Sequence, residues 1–219
     1  MVIMACNTSS ALALETVQDE YEIPILGLIF PGARAAVHQG QRIGVVATPA
    51  TAASNAYASA IKEINPQAKV WEVGCPEFVP LIEHNQLHTP HTKEVARKYL
   101  QLLIDQRIDT LIYGCTHYPH LESIFRLILP SSISIVDPAE HIVIAANQEL
   151  ELMGLKNNES ASSKFSSEAC VPRQAHASTR FCVSGSPQKF ASLAQQWLGY
   201  FPEVEQVKVN EQLTISNES

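Results

Sequence analysis

Positive charge is scarce in this sequence: Lys and Arg total 15 against 22 Asp and Glu in 219 residues, a net charge of -7. Holding a phosphate backbone calls for a basic field, so nucleic acid is not expected as the main ligand. The acidic excess is scattered rather than blocked and describes a solvated surface. Long hydrophobic runs are also missing. No apolar stretch approaches the ~20 residues of a membrane-crossing helix, and no membrane partner is expected. The apolar N-terminal residues have no basic flank before them and no small-residue cleavage site after them, so no secretory signal is read there. Cysteine is sparse and odd in number, five in all, with no short repeating spacing. A disulfide framework is therefore not expected; reduced thiols and a cytoplasmic location are. No internal period marks a solenoid. What is present is 46% hydrophobic residues, ample for the core of one large domain or two small ones.

Short apolar runs alternate with amphipathic stretches. The runs at 2–5, 23–29, 42–48, 68–75, 109–115 and 132–138 read as strands. Helical patterns follow at 6–21, 32–40, 51–64, 91–106, 116–129 and 139–154, with Pro31-Gly32 closing the second strand and a short helix near 76–85. Strands of this length alternating with helices predict parallel βαβ units in an α/β fold, with helices on both sheet faces. From Leu155 to about Arg180 the rhythm breaks into a Ser-rich stretch, expected to be a surface insertion in which Cys170 has no role. A strand at 181–185, a helix at 187–199 and a strand at 204–209 follow, with a polar tail after Asn210.

Two segments share one grammar: strand, Cys, polar residues, helix. They are MACNTSSA (4–11) and YGCTHYP (113–119). Ligands of open parallel sheets bind beyond the carboxyl ends of the strands, where helix N-termini offer unpaired N–H groups. Such N–H groups hold carboxylates and lower a thiol's pKa. Two thiols facing one carbon can invert it, one removing a proton as thiolate while the other delivers one as thiol. Donors aimed at the developing charge would have to lower the barrier further. Each Cys taken singly reads more readily as a small core residue. Cys115, His117 and His120 lie close enough to suggest a metal, but no partner pair completes a tetrahedral set, so none is expected.

The segments ACNTSSA (5–11), PILGLIFPGARAAV (24–37), IGVVATPATAASNAY (43–57), CPEFVPLIE (75–83) and GCTHYPHL (114–121) resemble those of glutamate racemases, in family order and spacing. The likeness is close over residues 1–138 and loose in the last third. It implies a cofactor-independent isomerase that interconverts L- and D-glutamate by two cysteines, supplies D-glutamate for peptidoglycan synthesis, and works as a homodimer. By this resemblance Cys6 takes the α-proton from D-glutamate and Cys115 takes it from L-glutamate. His117 assists the second thiol, and Glu83 is a nearby acidic helper. Asn7, Thr8, Thr48, Thr51, Thr116 and His117 resemble substrate-binding positions. Related aspartate racemases usually carry an acidic residue where this chain has His117, which favours glutamate. By themselves Glu83 would be an exposed helix carboxylate, His117 a backbone-satisfied helix-start residue, and Thr48 and Thr51 loop or cap residues. Cys75 is read as structural, and Cys182 as buried in a strand.

The expected architecture is two α/β lobes with doubly wound parallel sheets and the site between them. One lobe comprises 1–31 and 139–219, the other 32–138, and lobe closure would expel water from the site. The family's opening DSGxGG-type loop and its PYG segment, whose Asp, Ser, Tyr and Gly touch substrate, have no counterpart in this sequence. The first lobe is thus expected to be N-terminally truncated, through a start assigned too late or a shortened gene; the former is preferred. Little or no racemisation and poor solubility are expected of the 219 residues alone. The alternatives are a non-catalytic remnant that binds glutamate or a protein, and a racemase of another acidic amino acid.

Overall fold

The computed structural model describes residues 1–156 and 179–208. The Ser-rich stretch with Cys170 and the tail beyond Asn210 lie outside the described residues, apart from the ends of the former. The chain forms two compact units, Met1–Glu159 and Ser160–Ser219. As expected, it is mixed α/β, and every strand pairing among the described residues is parallel.

The first unit opens with a small sheet of β1 (Val2–Met4) and β2 (Ile25–Gly27). Between them run α1 (Asn7–Leu12) and α2 (Leu14–Glu20), broken at Ala13 where the sequence suggested one helix. Helix α3 (Ile29–Gln39) begins two residues before Pro31, so Pro31-Gly32 does not end the strand as expected. A proline in the first helical turn loses no intrahelical bond, because those N–H groups are unpaired anyway. Gly32 is needed for close approach: a Cβ there would lie 2.9 Å from Pro138 Cγ.

The main sheet follows: β3 (Arg42–Ala47), β4 (Lys69–Gly74), β5 (Thr110–Gly114) and β6 (Ser134–Val136), in spatial order β4-β3-β5-β6. The central strands β3 and β5 are continuous apolar runs because both their faces are covered. Side chains alternate between two cores. Ile43, Val45, Ala47 and Ile112 enter the cluster under α3 and α5 (Ala56–Ile64), with Ala33, Ala36, Tyr57 and Ile61. Val46, Leu111, Tyr113 and Cys115 enter the other, under α6 (Phe78–Glu83), α7 (Pro90–Asp105) and α8 (Glu122–Ile128). Phe78 anchors that second core, edge-on to Tyr99 and Tyr118 at centroid distances of 5.3 and 5.1 Å. Aromatic pairs of this geometry contribute about 0.5–1.5 kcal/mol beyond their buried area.

The segment expected as one helix over 51–64 is two, α4 (Pro49–Ser54) and α5, separated by Asn55 at φ 55°. Asparagine tolerates this left-handed conformation because its short amide can bond locally. Helix α9 (Pro138–Leu152) packs on α3 and closes the unit. In the second unit, β7 (Phe181–Val183) pairs with β8 (Val204–Gln206) through α10 (Pro187–Leu198). Cys182 on β7 is exposed, against the buried position expected of it. No helix among the described residues is long and apolar enough to cross a membrane.

Glu72 on β4 reaches the start of α5, where its Oε1 accepts the Ala58 N–H at 2.8 Å. Its Oε2 is buried without a hydrogen bond. Burial pushes its carboxyl pKa up to about 7, with the Ala58 bond opposing. A raised acid contributes stability that is complete below the unfolded value and is lost as pH rises through the folded one. Glu72→Gln is therefore expected to raise Tm by a few degrees at pH 8 and to change it little at pH 5, about 1 kcal/mol after allowing for partial solvent access. Thermal melts at the two pH values check this; an equal shift at both would contradict it.

Candidate active site

The register of the main sheet aligns three strand ends. Ala47 pairs with Gly74 on one side and with Gly114 on the other. Thr48, Cys75 and Cys115, the next residue of each strand, therefore stand in one row at the carboxyl edge. Gly114 permits this closeness, since a Cβ there would lie 2.8 Å from both the Ala47 Cβ and the Val46 carbonyl oxygen.

Helix α1 reaches the same edge from the small sheet. Its entry is fixed by Ser10, whose hydroxyl donates to the Met4 carbonyl at 2.9 Å and accepts the Leu28 N–H at 3.1 Å. Thr8 then meets the start of α4. The hydroxyls of Thr8, Thr48 and Thr51 form a triangle with every side 2.9 Å. Thr48 also caps α4 by accepting the Thr51 N–H. Asn7 is buried and accepts the Tyr57 hydroxyl on its Oδ1 at 2.6 Å.

The two thiols occupy different surroundings. Cys6 precedes the first residue of α1 and is exposed. Partial burial raises its pKa, but N–H and hydroxyl groups of Ser9 and Thr8 outweigh that, and the net shift is downward. Helix α1 has only six residues, so these local donors rather than a long helix dipole favour the thiolate. Cys115 is buried, and burial pushes its pKa up to about 11; a backbone N–H of His117 opposes the shift and the charge of Cys6 adds to it. Cys115 is thus within electrostatic reach of Cys6. Cys115 is not followed by an α-helix as expected. Pro119 lacks an N–H and restricts the residue before it. The chain instead makes a turn and a short 3₁₀ segment, Tyr118–Leu121.

That turn brings His117 over Cys115, with Sγ and Nδ1 3.7 Å apart. On its far side, His117 Nε2 lies 3.5 Å from Glu83 Oε1. Cys115, His117 and Glu83 form a file from the buried sulfur to a half-exposed carboxylate. Thr116 is half-buried between Cys115 and His117. Cys75 is buried, hydrogen-bonded to the Val73 carbonyl, and pushed up to about 12 by burial first, so it stays a thiol. Among the described residues no group of three or more His, Cys, Asp or Glu could hold a metal ion.

The profile of the Asp/Glu/Hydantoin racemase family matches residues 1–146, from β1 into α9 and across both cysteine turns. The chain belongs to this family. It is 62% identical over 207 residues to the glutamate racemase of Gloeothece citriformis, covering 94% of this chain and 69% of that one. It is also 62% identical to that of Synechocystis sp. over 209 residues, 95% of this chain and 70% of the relative. Among solved structures, a Bacillus anthracis glutamate racemase isoform superposes with a TM-score of 0.84 at 32% identity, covering 94% of this chain and 73% of the other. The Francisella tularensis glutamate racemase, solved in complex with D-glutamate, gives 0.80 at 31% identity, with 94% and 72% covered. As a racemase the chain is an isomerase.

Two site groups carried no signal in the sequence. Ser10 looks like any small polar helix residue, and Tyr57 like a core aromatic of an amphipathic helix. Their polar partners lie 18 and 50 residues away, at Leu28 and Asn7.

Proposed function

We propose that this racemase interconverts L- and D-glutamate by moving protons between two cysteines, without a cofactor. The opposed ionisation of the thiols carries the reading: Cys6 is shifted toward thiolate, and Cys115 is held as thiol. In the direction from D-glutamate, the Cys6 thiolate takes the α-proton, breaking C–H and forming S–H. The carbanion then takes the Cys115 proton on the opposite face, forming C–H and leaving a Cys115 thiolate. The reverse direction starts from that thiolate; the pair holds one proton throughout, and a further turnover in the same direction requires Cys6 to lose its proton and Cys115 to regain one. Asn7, Thr8, Thr48, Thr51 and Thr116 are the groups to hold the carboxylates and ammonium, and His117 with Glu83 supports Cys115. Donors fixed before the reaction stabilise the charge that develops at the α-carbon.

The same reading includes a role in supplying D-glutamate for peptidoglycan, a cytoplasmic location, and lobes made of 1–31 with 139–219 and of 32–138. The separation of the β1–β2 sheet from the main sheet supports the division near residue 31. It also includes a homodimer, supported by the exposed apolar side chains of Phe30, Val143 and Ile144 on α3 and α9. Deuterium exchange at the glutamate α-carbon in D2O, followed by proton NMR, tests the activity even when turnover is slow. Exchange at both enantiomers is expected even where inversion is too slow to follow; no exchange above a protein-free blank refutes the reading.

A further inference from the structure

Asn7 presents a donor and an acceptor, and the fold occupies only one of them. Its Oδ1 accepts the Tyr57 hydroxyl, while its Nδ2 is buried with no hydrogen-bond partner. A buried donor left unpaired is costly, so such groups are found chiefly where something else pairs them. An amide has no intrinsic preference for which end faces which way; its neighbours decide.

Tyr57 is suited to decide it. Its side chain is fully buried in the α3–α5 core. Gly32 lies against the ring, since a Cβ there would come within 3.4 Å of Tyr57 Cε1. The break at Asn55 starts α5 on a new axis just before the tyrosine. Burial, then the charges of Glu72, Asp137 and Cys115, keeps the phenol protonated. The hydroxyl donates its proton to Asn7 Oδ1, which holds the amide with its oxygen toward the phenol and its NH2 turned away.

We propose that Tyr57 is a positioning residue for racemisation: its hydroxyl fixes the Asn7 amide so that the NH2 end is committed to a carboxylate of the substrate. This rests on the glutamate reading above. The bond also spans the two sheets, because Asn7 belongs to α1 beside the small sheet and Tyr57 to α5 on the main one. Tyr57 thus acts through Asn7 and touches no reacting atom itself.

Tyr57→Phe keeps the ring and deletes the donor. The expected result is a KM raised about tenfold for both enantiomers, with kcat changed less than threefold. Adding Tyr57→Phe to Asn7→Ala is expected to cost nothing further, since the amide it orients is gone. The Asn7 side-chain NH2 resonances, assigned by their loss in Asn7→Asp, are expected to move in Tyr57→Phe. Unmoved amide resonances overturn the proposal whether or not glutamate is turned over. So does an unchanged KM, or a full Tyr57→Phe penalty in the Asn7→Ala background, which a role in packing alone would give. Absence of α-carbon exchange in the parent refutes the glutamate reading instead, and the amide resonances still decide whether Tyr57 sets Asn7.

Discussion

With Cys115→Ser, interconversion of the glutamate enantiomers is expected to fall about 10³-fold in both directions, and Cys6→Ser is expected to do the same. Serine preserves size, but its hydroxyl is a far weaker acid and its alkoxide is not populated near neutral pH. A racemase with one working thiol can remove a proton from one face and return it only to that face. The variants should therefore differ in what they retain. Cys115→Ser keeps Cys6, and residual deuterium exchange is expected at D-glutamate with retention of configuration. Cys6→Ser keeps Cys115, and residual exchange is expected at L-glutamate. Circular dichroism reads the inversion and proton NMR the exchange. Both thiols stand just past strand ends and serine is nearly the same size, so near-UV and thermal data should show the fold intact. Full racemisation by either variant would remove the two-cysteine mechanism.

The fold was legible where both faces of an element are buried. Ile43–Ala47 and Leu111–Gly114 are continuous apolar runs, which a central strand covered on both faces hides. Boundaries were less legible where one residue decides between two conformations. Asn55 could have continued a helix, and only its surroundings put it at φ 55°. Pro31 looked like a stop because proline usually ends elements, yet at the third position of α3 it costs no hydrogen bond.

The site divides in the same way. Residues grouped in short motifs, such as Cys6 with Asn7 and Thr8, or Cys115 with Thr116 and His117, announce themselves by local spacing. Their contrast does not. The two cysteine turns read alike in the sequence, but one sulfur is exposed among N–H and hydroxyl donors and the other is buried. That difference depends on what the rest of the chain places over each, as does the Thr8–Thr48–Thr51 triangle, which joins segments 40 and 43 residues apart. Tyr57 is the extreme case, because a buried tyrosine and a buried phenylalanine give the same periodicity.

His117→Asn is expected to lower kcat/KM about 10²-fold, and equally for both enantiomers. The equality is imposed by thermodynamics: mirror-image amino acids have an equilibrium constant of one, so kcat/KM cannot favour a direction however asymmetric the site is. Any asymmetry must appear in kcat and KM separately, and the L-direction, which starts from the Cys115 thiolate, should lose more kcat. The pH profile carries the rest of the argument. The active free enzyme holds one proton on the thiol pair. Activity should therefore rise as pH climbs through the first ionisation, favoured at Cys6 and below the ordinary cysteine value, and fall toward about 11, where Cys115 also loses its proton. His117 meets Cys115 at 3.7 Å and Glu83 at 3.5 Å, and Glu83 can influence the sulfur only through the ring between them. Glu83→Gln alone should then cost only a few-fold, because its carboxylate is half-exposed and screened. In the His117→Asn background it should cost nothing more. A Glu83→Gln penalty of the same size in both backgrounds would mean that Glu83 acts on substrate or fold directly, and the file of three groups would be coincidence.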